Sequence, residues 1–347
     1  VGAVKDFDPN AAAQPDSGIF CLPHTCDEAK VVLVPVPWDV TTSYRAGTSN
    51  GPQAILNASR QIDLFDVELG KPWQAGIAMA PESAEVRAWN KEGRAIAEPV
   101  IAKGGADGDP ELEAAVARVN AMGAQLNAYV REQVSGWLAK GKLVGVVGGD
   151  HSVPFGAIEA VADRHPGLGV LHIDAHADLR VAYEGFTWSH ASIMYNVVSK
   201  IPDVSRLVQV GIRDLCEAEY DVIRGSKRRV ITHFDAELAT RRLAGESWAG
   251  QCERIIDALP SEVYVSFDID GLDPALCPNT GTPVPGGLSF AEANYLIGAL
   301  TRAGRRIVGF DLNEVAPGPD SEWDANVGMR LLYKMIGWAL RSQNISH

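Results

Sequence analysis

The chain has 347 residues, 46% of them hydrophobic and 22% charged, the balance of a soluble globular protein. Its 44 acidic and 31 basic residues leave a net charge of −13, which argues against nucleic acid or an anionic membrane as a partner. No stretch approaches the roughly 18 uninterrupted apolar residues of a membrane span.

Residues 1–30 lack periodicity and contain Pro, Asp, Ser and Gly, which predicts an extended arm or surface wrap, in part disordered. They hold no basic segment followed by an apolar run. Cys21 and Cys26 flank His24, but the spacing is loose and no second pair follows, so they read as ordinary reduced thiols. With Cys216, Cys252 and Cys277 they form no disulfide framework, and the expected location is the cytoplasm. The first buried strand begins at Val31 and runs into a polar loop, Trp38 to Gly47. Gly51-Pro52-Gln53 opens a helix, with Pro at an early position. Residues 70–108 read as irregular. Asp109-Pro110 then signals a helix start. Leu112, Val116, Val119, Met122, Leu126, Val130, Val134 and Leu138 step by three and four, one core-facing stripe of about eight turns.

From residue 143 onward, strands alternate with helical patterns. They are expected at Leu143–Val147, Val170–Ile173, Leu207–Val210, Val230–Ile231, Val263–Phe267 and Ile307–Phe310. This predicts an α/β fold with parallel strands covered on both faces. No linker and no repeat divides it, so 31–347 reads as a single domain. In such a sheet the site lies outside the carboxyl ends of the strands.

Four of those ends carry chemistry. After Val147 come Gly148-Gly149-Asp150-His151-Ser152, and after Ile173 come Asp174, His176 and Asp178. After Phe267 come Asp268, Asp270 and Asp273, and after Phe310 come Asp311 and Glu314. Side chains two apart in extended chain point the same way, so Asp174, His176 and Asp178 would crowd together at one strand end. Buried carboxylates repel unless a cation lies between them. Two histidines, His151 and His176, and four carboxylates, Asp174, Asp178, Asp268 and Asp270, exceed what one small ion needs. They suit two divalent ions. Oxygen-rich, thiol-free ligation favours Mn²⁺, with Ni²⁺ as the alternative, and a pair of such ions activates water for hydrolysis. Asp273 before Pro274 reads as a turn former, and Asp150 and Asp311 as groups that orient their neighbours. His172 shares the face of Asp174 by spacing and reads as a packed histidine. His24, His165, His233 and His347 have no constellation around them.

Gly-Gly-Asp-His-Ser at 148–152, Asp-Ala-His-Ala-Asp at 174–178 and Ser-Phe-Asp-Ile-Asp-Gly-Leu-Asp-Pro at 266–274 resemble, in order, the three metal motifs of the ureohydrolases. That family includes arginase and agmatinase, and the likeness runs from about residue 31 to 340. It implies a three-layer α/β/α fold with a parallel sheet of about eight strands, the arrangement deacetylases share. It implies that His151, Asp174, Asp178 and Asp268 hold one ion, and that Asp174, His176, Asp268 and Asp270 hold the other. By the same resemblance Asp178 also holds the hydroxide between the ions, His190 serves the departing amine, and Glu314 pairs with the guanidinium of the substrate. A neutral-range pKa would suit the proton-carrying role of His190. Family likeness also implies a homo-oligomer, a trimer or hexamer.

Arginases carry an Asn-Thr-Pro segment and a Ser-Gly-Asn segment between the second metal motif and the loop histidine, and neither stands in Leu179–His190. Asp-Leu-Arg, Tyr-Glu-Gly and Ser-His-Ala-Ser there look agmatinase-like, as does Gly211-Ile212-Arg213. The expected substrate is a small cationic guanidino compound, agmatine first, cleaved to urea and putrescine. Guanidine, guanidinobutyrate, guanidinopropionate, arginine and formiminoglutamate are the alternatives. Phe186 and Trp188 are expected to crowd the pocket, and the arm and the 70–110 insertion to cover the site or another subunit. Two rivals are a family member that binds metal without turnover and a one-zinc deacetylase. No ligand is missing for the first, and the Asp-x-His and Asp-x-Asp pairs do not match the second.

Overall fold

The computed structural model describes residues 7–11 and 17–345. Among these residues eight strands form one sheet: β1 (Val31–Val36), β2 (Ile77–Met79), β3 (Leu143–Gly148), β4 (Leu168–Ile173), β5 (Val204–Ile212), β6 (Val230–Phe234), β7 (Glu262–Asp268) and β8 (Arg306–Asn313). All pairs are parallel and the order is β2-β1-β3-β8-β7-β4-β5-β6. β1, β3 and β4 are buried at every position, as a sheet covered on both faces requires.

The helices are α1 (Gly51–Ala58), α2 (Ala84–Lys103), α3 (Pro110–Ala139), α4 (Phe155–Ala162), α5 (Ile193–Lys200), α6 (Glu217–Gly225), α7 (Asp235–Leu243), α8 (Trp248–Asp257), α9 (Phe290–Arg302) and α10 (Trp323–Ser342). Strand alternation divides the core in two. Leu171 and Ile173 of β4 pack with α1, α8, α9 and α10. Leu168 and Val170 pack with α2, α3, α4 and α5. This is the three-layer α/β/α arrangement expected from the resemblance.

α3 is capped where the sequence places its start: Asp109 accepts the Glu111 and Leu112 amides, and Pro110 fills a first-turn position. Residues 70–108 correct the reading of that stretch as irregular. They hold the edge strand β2 and the 20-residue helix α2, capped by Ser83 accepting the Val86 amide. The buried positions of α2 are Val86, Asn90, Gly93, Ala97 and Val100. Their spacing is helical, but Asn and Gly at two of them, and Pro99 near the end, hide the stripe.

Those two residues serve the loop that follows β1. Asn90 donates to Asp39 Oδ1 (2.9 Å) and accepts the Asp39 amide (2.7 Å). A Cβ on Gly93 would lie 2.9 Å from Val40. Arg94 donates to the Val40 and Thr42 carbonyls. The insertion therefore pins the 38–47 loop.

Within the segment expected as an arm, Ile19, Phe20 and Leu22 are buried in the core, and Phe20 meets Tyr333 of α10 edge-on at 4.9 Å. Residues 1–6 and 12–16, and His347, lie outside the described residues.

Candidate metal centre

The sheet order sets β3, β8, β7 and β4 side by side, and these are the strands whose carboxyl ends carry the acids. Their approach depends on glycine. A Cβ on Gly271 would lie 2.8 Å from the Asp174 nitrogen, and one on Gly211 (φ +95°) 3.0 Å from the Asp174 carbonyl. Asp178 (φ 54°) and Glu314 (φ 62°) sit in left-handed backbone. That conformation costs a non-glycine residue on the order of 1–3 kcal/mol and persists where its surroundings impose it.

All of the expected ligand residues meet here. His151 Nδ1 lies 2.9 Å from Asp174 Oδ2, 3.3 Å from Asp268 Oδ2 and 3.5 Å from Asp178 Oδ2. His176 Nδ1 lies 3.0 Å from Asp270 Oδ2 and 3.5 Å from Asp174 Oδ1. Ligand-capable atoms of His151, His172, Asp174 and Asp178 gather within 4.8 Å of one another, and so do those of Asp174, His176 and Asp270. Asp174 belongs to both groups. Asp273 stands outside them and accepts the Ala275 amide in a turn (2.8 Å). Asp150 accepts the Ser152 amide (2.9 Å), just before α4.

The neighbours of His151 fix its orientation. Ser266 Oγ donates to Asp311 Oδ1 at 3.0 Å, so the hydroxyl proton is used. His151 Nε2, 2.9 Å from that oxygen, is then the donor to it. Nδ1 is left facing three carboxylates, the arrangement of a metal-binding histidine whose other N–H is engaged behind it.

The crowded, buried carboxylates make a cation favourable here. Burial, then the charges of Asp270 and Asp174, holds Asp268 well above the usual carboxylate range. Burial, then Asp174, does the same to Asp178. Burial opposes charge on His151, but hydrogen bonds to Asp174 and Asp268 outweigh it and hold the imidazole well above its ordinary value. Divalent cations fit this donor set, because they neutralise several carboxylates at once and take oxygen and imidazole nitrogen alike.

Glu314 lies beside the cluster. Its Oε1 accepts the His151 amide (2.9 Å), while its buried Oε2 has no partner. Burial, then Asp268 and Asp150, holds this carboxyl well above its ordinary range. A cavity of about 150 Å³ adjoins the cluster at His176 and Asp178, lined also by Ser43, Tyr183, His190 and Asp214 among others. A wider hollow, about 1060 Å³, lies between residues 7–24 and 60–64 and contains none of these groups.

His190 is partly exposed to the cavity. Thr41 of the pinned loop is 3.4 Å from its Nδ1, and Tyr183 meets its ring edge-on at 6.0 Å. Burial, then the neighbouring His176, lowers its pKa to about 4. That direction is away from the neutral range that suits a proton carrier.

Phe186 and Trp188 do not crowd the cavity. Phe186 is fully buried, and Trp188 packs edge-on to Phe155 at 4.9 Å and against Gly123 of α3. Tyr183 is the aromatic that reaches the cavity. Sequence reading missed Tyr183, Asp214, Thr41 and Ser266, which converge only through the fold. His172 carried a signal, its position two residues before Asp174, and its Nε2 lies 2.8 Å from Asp174 Oδ2.

The model of the arginase family matches residues 29–337. The chain is 34% identical over 312 residues to N(1)-aminopropylagmatine ureohydrolase of Thermus thermophilus, covering 90% of each. It is 31% identical to an agmatinase of Serratia proteamaculans, covering 90% of this chain and 89% of that one. Its fold is similar to that of the agmatine ureohydrolase of Thermoplasma volcanium, with a TM-score of 0.71 at 24% identity over 93% of this chain and 94% of that one. Four strand ends that gather a buried His/Asp metal cluster, and a family match over most of the length, lead to one conclusion: the chain belongs to the arginase family and is a ureohydrolase, hydrolysing a C–N bond of a linear amidine in a guanidino compound.

Proposed function

We propose that the substrate is agmatine or a guanidino compound with a similar amine tail, cleaved to urea and the corresponding amine, putrescine from agmatine. The observation that carries this reading is the unpaired, buried Oε2 of Glu314 beside the metal cluster. A guanidinium answers such an oxygen with paired N–H donors. The tail is read from the cavity mouth. Arg180 is already engaged there, 3.6 Å from Glu219 and 5.0 Å over the Tyr183 ring. The Asp214 carboxylate is exposed and 4.0 Å from His176, free to meet an ammonium. The names of the two similar enzymes given above point to amine-tailed guanidines as well.

In this reading His151, Asp174, Asp178 and Asp268 would hold one ion, and Asp174, His176, Asp268 and Asp270 the other. Mn²⁺ is the metal proposed and Ni²⁺ the alternative. When bound, two such ions supply Lewis acidity and lower the pKa of water. Glu314 holds the guanidinium plane. Asp178 accepts a hydrogen bond from the attacking water and so aims it. His190 starts neutral, so it collects the proton that this water sheds and then delivers it to the departing amine nitrogen. The carbon gains oxygen as its bond to that nitrogen breaks, giving urea.

A urea-release panel with agmatine, aminopropylagmatine, guanidinobutyrate, guanidinopropionate, guanidine, arginine and formiminoglutamate, run with Mn²⁺ and with Ni²⁺, tests the reading. The amine-tailed compounds should lead. A preference for guanidinobutyrate or bare guanidine would sink it. Asp214→Asn should raise KM for agmatine about two- to fivefold and leave KM for guanidine unchanged, with two ions still bound. If Asp214 instead orients His176, metal content falls and every substrate suffers alike.

The His190 loop offers a second check. A Cβ on Gly123 would lie 2.7 Å from Trp188 Cβ, two residues from His190. Gly123→Ala should therefore cost about 1–3 kcal/mol in chemical unfolding and lower kcat, because overpacking moves that loop. Unchanged stability and kcat would show that Trp188 does not anchor it.

We also place the protein in the cytoplasm. All five cysteines are free, as a reducing compartment keeps them. Trimeric or hexameric assembly of a single domain with its N-terminal arm, proposed on family likeness, is checked by light scattering.

A further inference from the structure

We infer that His172 is a positioning residue for the metal centre and not one of its ligands, its tautomer being fixed by Gln209. The inference rests on the metal-site reading of Asp174. Distance alone would admit His172 as a ligand, because its ring nitrogen gathers with His151, Asp174 and Asp178.

Hydrogen-bond polarity excludes it. The carbonyl of Ala177 can only accept, and Gln209 Nε2 lies 2.7 Å from it. That atom is therefore the amide nitrogen, and Gln209 Oε1 accepts from Thr232 Oγ1 at 2.9 Å. The same nitrogen lies 3.0 Å from His172 Nδ1. A donor there demands a lone pair on Nδ1, and an imidazolium would set N–H against N–H. The ring proton is thus on Nε2, where it donates to Asp174 Oδ2 at 2.8 Å. A protonated Nε2 has no electron pair for a cation. His172, Gln209 and Asp174 are all fully buried, so water cannot substitute for any member.

The geometry follows from strand register. His172 of β4 pairs with Gln209 of β5, which pairs with Thr232 of β6. On the other side His172 pairs with Ser266 of β7, which pairs with Asp311 of β8. One polar row thus crosses five strands beneath the cluster. It turns the lone pair of His151 toward the ions through Ser266 and Asp311, and the N–H of His172 toward Asp174 through Gln209. Asp174 Oδ1 takes the His176 amide at 2.6 Å, so both of its oxygens are aimed by hydrogen bonds from the chain itself.

The test is tautomer assignment in the full chain with ¹⁵N-labelled histidine, by long-range proton–nitrogen correlation. The His172 signals are those lost in His172→Gln. Nε2 should be protonated and Nδ1 unprotonated both before and after two equivalents of Zn²⁺. Mn²⁺ affinity should stay close to wild type in His172→Gln, whose amide can still donate to Asp174. It should fall about 10–100-fold in His172→Leu. Loss of the Nε2 proton on adding Zn²⁺, or an Nδ1–H tautomer in the free chain, overturns the proposal. So does wild-type Mn²⁺ affinity in His172→Leu. Absence of any divalent-ion binding by the wild type would instead overturn the metal-site reading itself.

Discussion

Asp174→Asn is expected to leave no more than one divalent ion per chain and to lower urea release by more than about a thousandfold. The reason is the crowding of donors around this one carboxylate. Oδ2 accepts from His172 Nε2 at 2.8 Å, and Oδ1 accepts the His176 amide at 2.6 Å. An asparagine must present its NH₂ to one of these sets, so whichever way it turns, a donor meets a donor. Asp174 also belongs to both ligand groups, so its loss disturbs both. Metal analysis after dialysis reads the content. Thermal unfolding gives a second reading. An ion present at a hundred times its Kd stabilises the native state by about 2.7 kcal/mol per site. Chelation should destabilise the wild type by two such contributions and Asp174→Asn by no more than one. Two tightly bound ions in the variant would refute the assignment of Asp174 as the shared ligand.

Much of this centre was legible in the sequence because strand geometry is local. Asp-x-His-x-Asp after Ile173 and Asp-x-Asp after Phe267 declare their own alternation, and no tertiary knowledge is needed to see that these side chains crowd. The order of the strands is a different matter. β8 lies between β3 and β7, so Asp311 and Glu314 enter the centre from the far end of the chain. Nothing local to them announces it. Spacing was also a poor guide where a helix serves a loop. Asn90 and Gly93 occupy buried positions of α2 because Asp39 needs an amide and Val40 needs room, and such residues look like irregular chain. The directions of Phe186 and Trp188 were misread for a related reason. Bulk near a loop histidine suggests a filled pocket, but Gly123 on α3 makes a seat for Trp188. What no local pattern could supply is the row from Thr232 to Asp311, which exists only once five strands are in register.

Glu314→Gln is expected to give a protein that is more stable than the wild type and nearly inactive, with its metal content intact. The substitution keeps the shape and preserves Oε1 as acceptor for the His151 amide. It replaces the unpaired Oε2 with an NH₂ group, which meets the N–H donors of a guanidinium as a like partner. Losing one charge-assisted pair and gaining a donor clash should lower kcat/KM by roughly 10²–10³, equivalent to about 3–4 kcal/mol. Stability moves the other way. Burial, then the nearby Asp268 and Asp150, holds the Glu314 carboxyl well above its ordinary value. A carboxyl raised in the folded state contributes fully below its unfolded pKa and loses that contribution as pH rises through the folded one. In the chelated proteins the stability gap between Glu314→Gln and wild type should therefore be near zero around pH 4. It should open toward neutral pH, reaching about 1–3 kcal/mol. Urea denaturation at several pH values, beside steady-state kinetics with agmatine, measures both halves. A variant that keeps wild-type kcat/KM would remove Glu314 from substrate binding. One that is inactive but has lost its ions would make Glu314 a support for the metal cluster rather than a partner of the guanidinium.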